Sequence, residues 1–305
     1  MASMEVDLAG IRLRNPILSG SGTFGHGVEM EHMVALDGLG GLVSKTVTCL
    51  PRPGNPAPRI AETKAGFLNS IGLENRGLES YIENVLPQVQ RAGTVIITNI
   101  GGESVKDYAA AAEALAGYDL ISALEINLSC PNVDGGRMPF SRDPRKAEEV
   151  LRAVSGVTDK PLWAKLSPNV THIDEIACGA AAGGASAITA INTLLGMGVD
   201  WRTGRPALAT VMGGYSGVGI LPVALRCAWQ CVQAVDIPVI GCGGIADAED
   251  VLSFLAVGCL AVQVGTASFS DPGMLGRLPG EVEHLLDEAG VESVLDVVGC
   301  MEAGN

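Results

Sequence analysis

Apolar residues along this chain fall into short runs separated by longer stretches in which they recur every three or four positions. The short runs are NPILS (15–19), GLVSKT (41–46), TVIITN (94–99), ALEINL (123–128), PLWAKL (161–166), AITAIN (187–192), IPVIGC (237–242) and LAVQVG (260–265). They are too short for helices and rich in Val, Ile and Leu, which predicts buried strands. The intervening periodic stretches predict helices over 75–90, 104–117, 143–156, 172–183, 221–235 and 247–258. Asp143 before Pro144, and Asp247, are suited to start two of them.

Eight strands alternating with helices predict an α/β fold, a (β/α)8 barrel, with a doubly wound parallel sheet as the alternative. Residues EVDLAGIRLRN precede the repeat and read as a short hairpin that closes the barrel bottom. Two connections, 47–74 and 193–220, are long enough to predict functional loops over the C-terminal face. No linker divides the chain, so residues 1–305 are expected to form one domain.

In a barrel of this kind the chemistry sits at the C-terminal strand ends. Those ends carry Ser21, Lys45, Asn99, Asn127 with Cys130, Lys165, Asn192 with Thr193, Gly243 with Gly244, and Gly265 with Thr266. Strand ends meet solvent and are often polar, but two lysines and three amides placed so regularly exceed what packing needs. The stretch EINLSCPN (125–132) poses the question most sharply, because a core strand runs into an amide, a hydroxyl and a thiol.

Composition narrows the field. Hydrophobic residues make up 47% and charged residues 18%, which supports a large core. The formal net charge of -14 and the lack of a basic run disfavour nucleic acid. No secretory signal and no membrane-spanning apolar run is visible, and the eight cysteines contain no CxxC pair. These features predict a cytoplasmic protein with reduced thiols, no metal site of its own and no membrane association.

Individual motifs differ in weight. GSGTFG (20–25) matches a dinucleotide fingerprint, but the next strand ends in Lys45 rather than an acidic residue, so close backbone approach to a flat ligand is the better reading. IGCGGIADAED (240–250) and VQVGTASF (262–269) place glycine turns after strands seven and eight, where barrels hold phosphate; two ordinary turns are the bland alternative. Lys45 and Lys165 read as anion-binding or charge-stabilising groups, against a structural ion pair or a Schiff base. Cys130 reads as a general base rather than a buried thiol, with Gly135 and Gly136 able to hinge the loop that follows. In NSIGLEN (69–75), Asn69 could read a planar ligand.

Taken in order, SGTFG, SKT, NSIGL, Asn99, INLSCPN, KLSPNV (165–170), INT (191–193), GGYSG (213–217), CGGI and VGTA resemble the class 1 dihydroorotate dehydrogenases, most closely the NAD-linked type 1B catalytic subunit. The resemblance spans nearly the whole chain. It implies an FMN-containing barrel enzyme of de novo pyrimidine (UMP) biosynthesis that oxidises (S)-dihydroorotate to orotate. By the same resemblance Ser21, Lys45, Thr46, Asn99, Asn127, Lys165, Ile191, Gly217, Gly243, Gly244, Gly265 and Thr266 would contact FMN. Lys45, Asn69, Ser70, Ile71, Gly72, Leu73, Asn127, Asn192 and Thr193 would hold the substrate, and Cys130 would remove the C5 proton. It further implies a homodimer within a heterotetramer, whose second subunit carries FAD and a [2Fe–2S] cluster and passes electrons to NAD.

Two features depart from the family pattern: the run RMPFSRDP (137–144), and Tyr215 in place of an aliphatic residue. The rival readings are a related FMN-dependent dihydropyrimidine dehydrogenase, a fumarate-linked type 1A enzyme, a tRNA dihydrouridine synthase, a Schiff-base aldolase using Lys165, and a non-catalytic flavin-binding subunit.

Overall fold

The computed structural model describes residues 1–129 and 139–302. Eight parallel strands close into a barrel: β1 (Ile17–Ser19), β2 (Gly41–Val43), β3 (Val95–Ile100), β4 (Ile121–Asn127), β5 (Leu162–Leu166), β6 (Ala187–Ala190), β7 (Val239–Cys242) and β8 (Ala261–Val264). Each strand pairs with the next in the chain, and β8 returns to β1 through Val262–Ile17, Gln263–Leu18 and Val264–Ser19. Helices cover the outside, so the strands are buried on both faces and read as apolar runs rather than alternating ones. Each predicted strand is present, with ends displaced by up to three residues. The barrel, not the open sheet, is the architecture.

Helix starts follow local chemistry. The Ser104 hydroxyl accepts from the Asp107 N–H in a reciprocal box that begins Val105–Ala116. Asp143 accepts from the Arg145 N–H ahead of Pro144–Ser155, and Asp247 from the Asp250 N–H ahead of Ala248–Ala256. A helix without a counterpart in the sequence reading, Met274–Glu288, packs Leu275, Leu278, Val282 and Leu286 inward. Pro279 and Gly280 obscure its pattern, and burial of that apolar face overrides them.

The hairpin Val6–Leu8 with Ile11–Leu13 leads into β1 and buries Val6, Leu8 and Leu13 in the main core. The two long connections are not irregular loops. Strands Ile60–Thr63 and Gly66–Asn69, from the connection after β2, join Leu194–Met197 and Met212–Ser216, from the connection after β6. Together they form a four-stranded antiparallel sheet. Both connections leave C-terminal ends of barrel strands, so this sheet lies on the face where the candidate residues gather. Tyr215 has a role in it: its hydroxyl donates to the Ala65 carbonyl at 3.1 Å, tying the two excursions together.

Among the described residues, no helix is long and apolar enough to cross a membrane.

Candidate active site

In an eight-stranded ring, side chains from strands four apart meet only through the lumen. Glu125 on β4 accepts from Gln263 on β8. Lys165 on β5 donates to the Ser21 hydroxyl beyond β1 at 2.9 Å and to Gln263 Oε1 at 2.8 Å. These residues therefore line the barrel interior. Glu125 and Gln263 are fully buried and Lys165 nearly so. Glu125 completes its set with Asn99 Nδ2 at 2.6 Å and Thr189 Oγ1 at 3.0 Å, and Lys165 Nζ lies 3.7 Å from its Oε1. A lysine this deep needs such partners, because burial without them disfavours its charge.

Glu125, Gln263 and Thr189 were not among the sequence candidates. Glu125 lies two residues before Asn127 and Gln263 two before Gly265, and alternate residues of a strand share a face.

A second chain of contacts runs across the barrel mouth. Asn127 Nδ2 donates to Thr46 Oγ1 at 3.1 Å. Asn127 Oδ1 accepts from Asn192 Nδ2 at 3.3 Å and from the Ser129 N–H at 3.2 Å. Asn192 Oδ1 in turn accepts the Thr193 N–H at 2.8 Å. Gly214 passes so close to Thr193 that a Cβ there would sit 2.0 Å from Oγ1, and its carbonyl accepts from Asn69 Nδ2 at 3.2 Å. The excursion sheet thereby joins Asn69 to the amides on the strand ends. Leu73 approaches the same place, because a Cβ on Gly101 would meet Thr46 Cγ2 at 2.8 Å and Leu73 Cδ1 at 3.6 Å. Ser70, Ile71 and Gly72 pack instead around Asn55, whose side chain donates to the Ser70 carbonyl and whose N–H donates to the Ile71 carbonyl.

Lys45 is half-buried just past β2, and its own N–H donates to the Gly25 carbonyl at 2.7 Å. Its charge reaches His26, whose imidazole is held low first by burial, with Glu29 opposing and Lys45 adding to the effect. Among the described residues Lys45 pairs with no carboxylate. The next residue, Thr46, accepts from Asn127 of the amide row.

The glycine turns form the third part. Gly243 and Gly244 have φ of 129° and 86°, a region that L side chains rarely enter. A Cβ on Gly244 would also meet the Leu221 backbone at 2.6 Å. Gly217, at φ 106°, packs against Gly66, and the neighbouring Ser216 hydroxyl accepts from Thr266 Oγ1 at 2.8 Å. Gly20 lies against Gly265, and Ile191 against Gly243. Among the described residues, no backbone acceptor takes the N–H groups of Gly243, Gly244, Gly265 or Thr266. At the start of Ala248–Ala256, Asp247 accepts from the Asp250 N–H and Asp250 from the Ala246 N–H, so carboxylates occupy that helix start and the donors left for an anion are those of the turns.

These parts fit a flavin mononucleotide. Asn99 Oδ1 is buried with no partner among the described residues, the turns offer free N–H donors for a phosphate, and Lys165 supplies a fixed cation deep in the site. Cys130 lies outside the described residues, as do Pro131, Asn132 and the glycine pair at 135–136. Ser129, immediately before them, is held by Asn127, and its hydroxyl lies 3.5 Å from the Lys165 carbonyl. On the far side, Phe140 is buried against the edge of Tyr108, with centroids 5.8 Å apart, and the Tyr108 hydroxyl donates to the Asn127 carbonyl at 2.7 Å.

The dihydroorotate dehydrogenase family model matches residues 3–286. The chain is 46% identical over 299 residues to dihydroorotate dehydrogenase B (NAD(+)), catalytic subunit, of Geobacter sulfurreducens, covering 98% of each chain. It is 47% identical over 301 residues to the protein of that name from Solidesulfovibrio magneticus, again covering 98% of each. The one from Phocaeicola vulgatus is 44% identical, with 99% of this chain and 100% of that one covered. The crystal structure of DHODH in complex with ferulenol from Eimeria tenella superposes with a TM-score of 0.81 over 98% of this chain and 88% of that one, at 21% identity, a likeness of fold. With the family model covering most of the chain and full-length relatives near half identity, this chain belongs to the dihydroorotate dehydrogenase family.

Proposed function

We propose that this chain is the FMN-containing catalytic subunit of an NAD-linked dihydroorotate dehydrogenase, oxidising (S)-dihydroorotate to orotate in pyrimidine biosynthesis. The observation that carries the reading is the amide row Asn127–Asn192, tied through Asn127 to Thr46 next to Lys45, with the buried cation Lys165 on the strand between the two amides; among the described residues Lys45 pairs with no carboxylate. A dihydropyrimidine carboxylate has the matching form: a flat ring of alternating donors and acceptors, with one negative charge at its edge.

Forming the ring double bond removes a proton from C5 and a hydride from C6. Bound FMN supplies the acceptor for the hydride. Cys130 takes the C5 proton, and its neighbour Ser129 is anchored to Asn127, which orients the substrate. Lys45 pairs with the substrate carboxylate, and Asn69, Asn127, Asn192 and Thr193 orient the ring together with residues 70–73. Ser21, Thr46, Asn99, Ile191 and Lys165 hold the flavin ring, and Lys165 offsets the negative charge it gains. Gly217, Gly243, Gly244, Gly265 and Thr266 hold its phosphate.

A partner subunit bearing FAD and a [2Fe–2S] cluster then passes the electrons to NAD, the catalytic chains forming a homodimer in the cytoplasm. Support for subunit contact comes from Met197, Val199, Trp201 and Met212, which leave large apolar side chains exposed on the excursion after β6.

The test is a visible spectrum of the purified protein, taken anaerobically before and after dihydroorotate. A yellow protein that bleaches supports the reading. Bleaching by dihydrouracil instead moves the substrate to another dihydropyrimidine. Reoxidation by fumarate without a partner moves the acceptor. A protein that stays colourless after incubation with FMN removes the reading.

A further inference from the structure

Glu125 is fully buried and has no part in the chemistry above, yet side chains from four other strands are arranged around it. Its Oε1 accepts from Asn99 and lies 3.7 Å from Lys165 Nζ. Its Oε2 accepts from Thr189 and Gln263. The Gln263 amide spans the pair, donating to Glu125 through Nε2 and accepting from Lys165 through Oε1 at 2.8 Å. Lysine only donates and an ionised carboxylate only accepts, so one orientation of that amide serves both. The same constraint fixes Asn99. With Nδ2 committed to the carboxylate, Oδ1 points elsewhere and is left without a partner among the described residues.

We propose that Glu125 is a positioning residue for the flavin: it keeps the Lys165 ammonium charged, holds Gln263 in the one orientation that accepts from Lys165 and, through Asn99, presents one fixed acceptor to the ring. The inference rests on the flavin reading of the site. The groups facing Lys165 are Ser21 beyond β1, Gln263 on β8, Glu125 on β4 and Cys242 on β7, with Asn127 and Thr189 as its neighbours in register. Burial pushes the Cys242 thiol up, with Lys165 acting against that shift and Glu125 adding to it, so the thiol is neutral. Among the described residues facing Lys165, Glu125 is then the counter-charge. A buried ammonium deprived of its counter-charge sheds its proton.

This has a consequence that can be counted in protons. With Glu125 in place, Lys165 is charged before and after reduction, and the flavin takes up two electrons and one proton as a hydride. With Glu125 neutralised, Lys165 starts without its proton and regains it when the flavin turns negative. Two electrons then bring two protons, one to the flavin and one to Lys165.

The experiment is the pH dependence of the flavin midpoint potential in the full FMN-loaded chain, for wild type, Glu125→Gln and Glu125→Asp. The expected result is one proton per two electrons in wild type, a doubled slope in Glu125→Gln, and a return to the wild-type slope in Glu125→Asp. A purely structural Glu125 would alter melting and leave the slope alone, so equal slopes in wild type and Glu125→Gln overturn the proposal. If Glu125→Gln does not fold, Glu125→Thr takes its place, with the doubled slope expected and a wild-type slope overturning the proposal; two protons per two electrons in wild type overturns it in either case. A wild-type chain that takes up no FMN overturns the flavin reading and this inference together. One that bleaches with dihydroorotate but gives equal slopes overturns only the role of Glu125.

Discussion

Asn192 donates its amide to Asn127 Oδ1 at 3.3 Å, across the mouth of the barrel from β6 to β4, with β5 between them. Each amide has a further partner, Thr46 Oγ1 for Asn127 and the Thr193 N–H for Asn192, so neither can flip alone. Replacing Asn127 with Ala leaves the Ser129 N–H and the Asn192 amide unpaired, at a cost of about 1–3 kcal/mol. Orotate affinity should fall by roughly tenfold to hundredfold in Asn127→Ala or Asn192→Ala. The double variant should lose less than the product of the two, because each single change already disorders the other amide. Titrating the flavin spectrum with orotate checks both points; multiplying losses would show that the amides act independently.

Gly244→Ala should fold poorly or lose FMN. The residue has φ of 86°, and the new Cβ would sit 2.6 Å from the Leu221 backbone, which cannot step aside as a flexible side chain could. Gly280→Ala is the control. It lies inside the helix Met274–Glu288 with open space around a new Cβ, and it should raise stability by about 0.5–1 kcal/mol. FMN content per chain and thermal midpoint separate the two, and a Gly244→Ala protein with full FMN would remove the turn from the phosphate site.

The contrast between these glycines shows what a sequence reveals. The eight barrel strands were legible because strands buried on both faces leave continuous apolar runs, and the candidate residues at their ends were picked out by position. The antiparallel sheet over the site was not legible. Asn69 and Gly214 pair across 145 positions, and MGGYS carries no apolar alternation to announce a strand. The interior charges were half visible. Leu124, Ile126 and Leu128 alternate, and Glu125 and Asn127 occupy the opposite phase, inside the barrel. Nothing local indicates that Glu125 meets Gln263, because that contact forms only when the barrel closes.

The thiols should divide by burial when the native protein is treated with iodoacetamide. Cys227, Cys231 and Cys259 are buried, and burial pushes their thiols up, so at neutral pH each holds its proton and lacks both the thiolate and the access that alkylation needs. Cys178 and Cys300 are exposed and should label first. Peptide mass spectrometry over a time course checks the order. Early labelling of Cys259 would mean that the core opens in solution.

Lys45→Ala should weaken orotate binding by about tenfold to hundredfold, the worth of a charge-assisted hydrogen bond. Its ammonium has no carboxylate partner among the described residues, so the loss is not offset by releasing one. Added salt should weaken orotate binding to wild type more than to the variant, because the screened attraction is already gone there. If dihydrouracil bound as well as dihydroorotate in wild type, and the variant changed neither, the carboxylate would be recognised elsewhere.

Cys130→Ser is the most direct test of the base. A serine hydroxyl keeps the size and the hydrogen bonding but is a far weaker acid, so proton removal from C5 should slow by about 10²–10⁴-fold near neutral pH. FMN binding should be unaffected, since the proposed flavin contacts, Lys165, Asn99 and the glycine turns, are left intact. Stopped-flow reduction by dihydroorotate would show the slowing, and raising the pH should recover more of the rate in the variant than in wild type. Raising pH increases the thiolate fraction in wild type only until Cys130 has titrated, whereas the serine gains from hydroxide throughout. Reduction at the wild-type rate in Cys130→Ser would reassign the base, and the anchoring of Ser129 by Asn127 would then serve only to shape the turn.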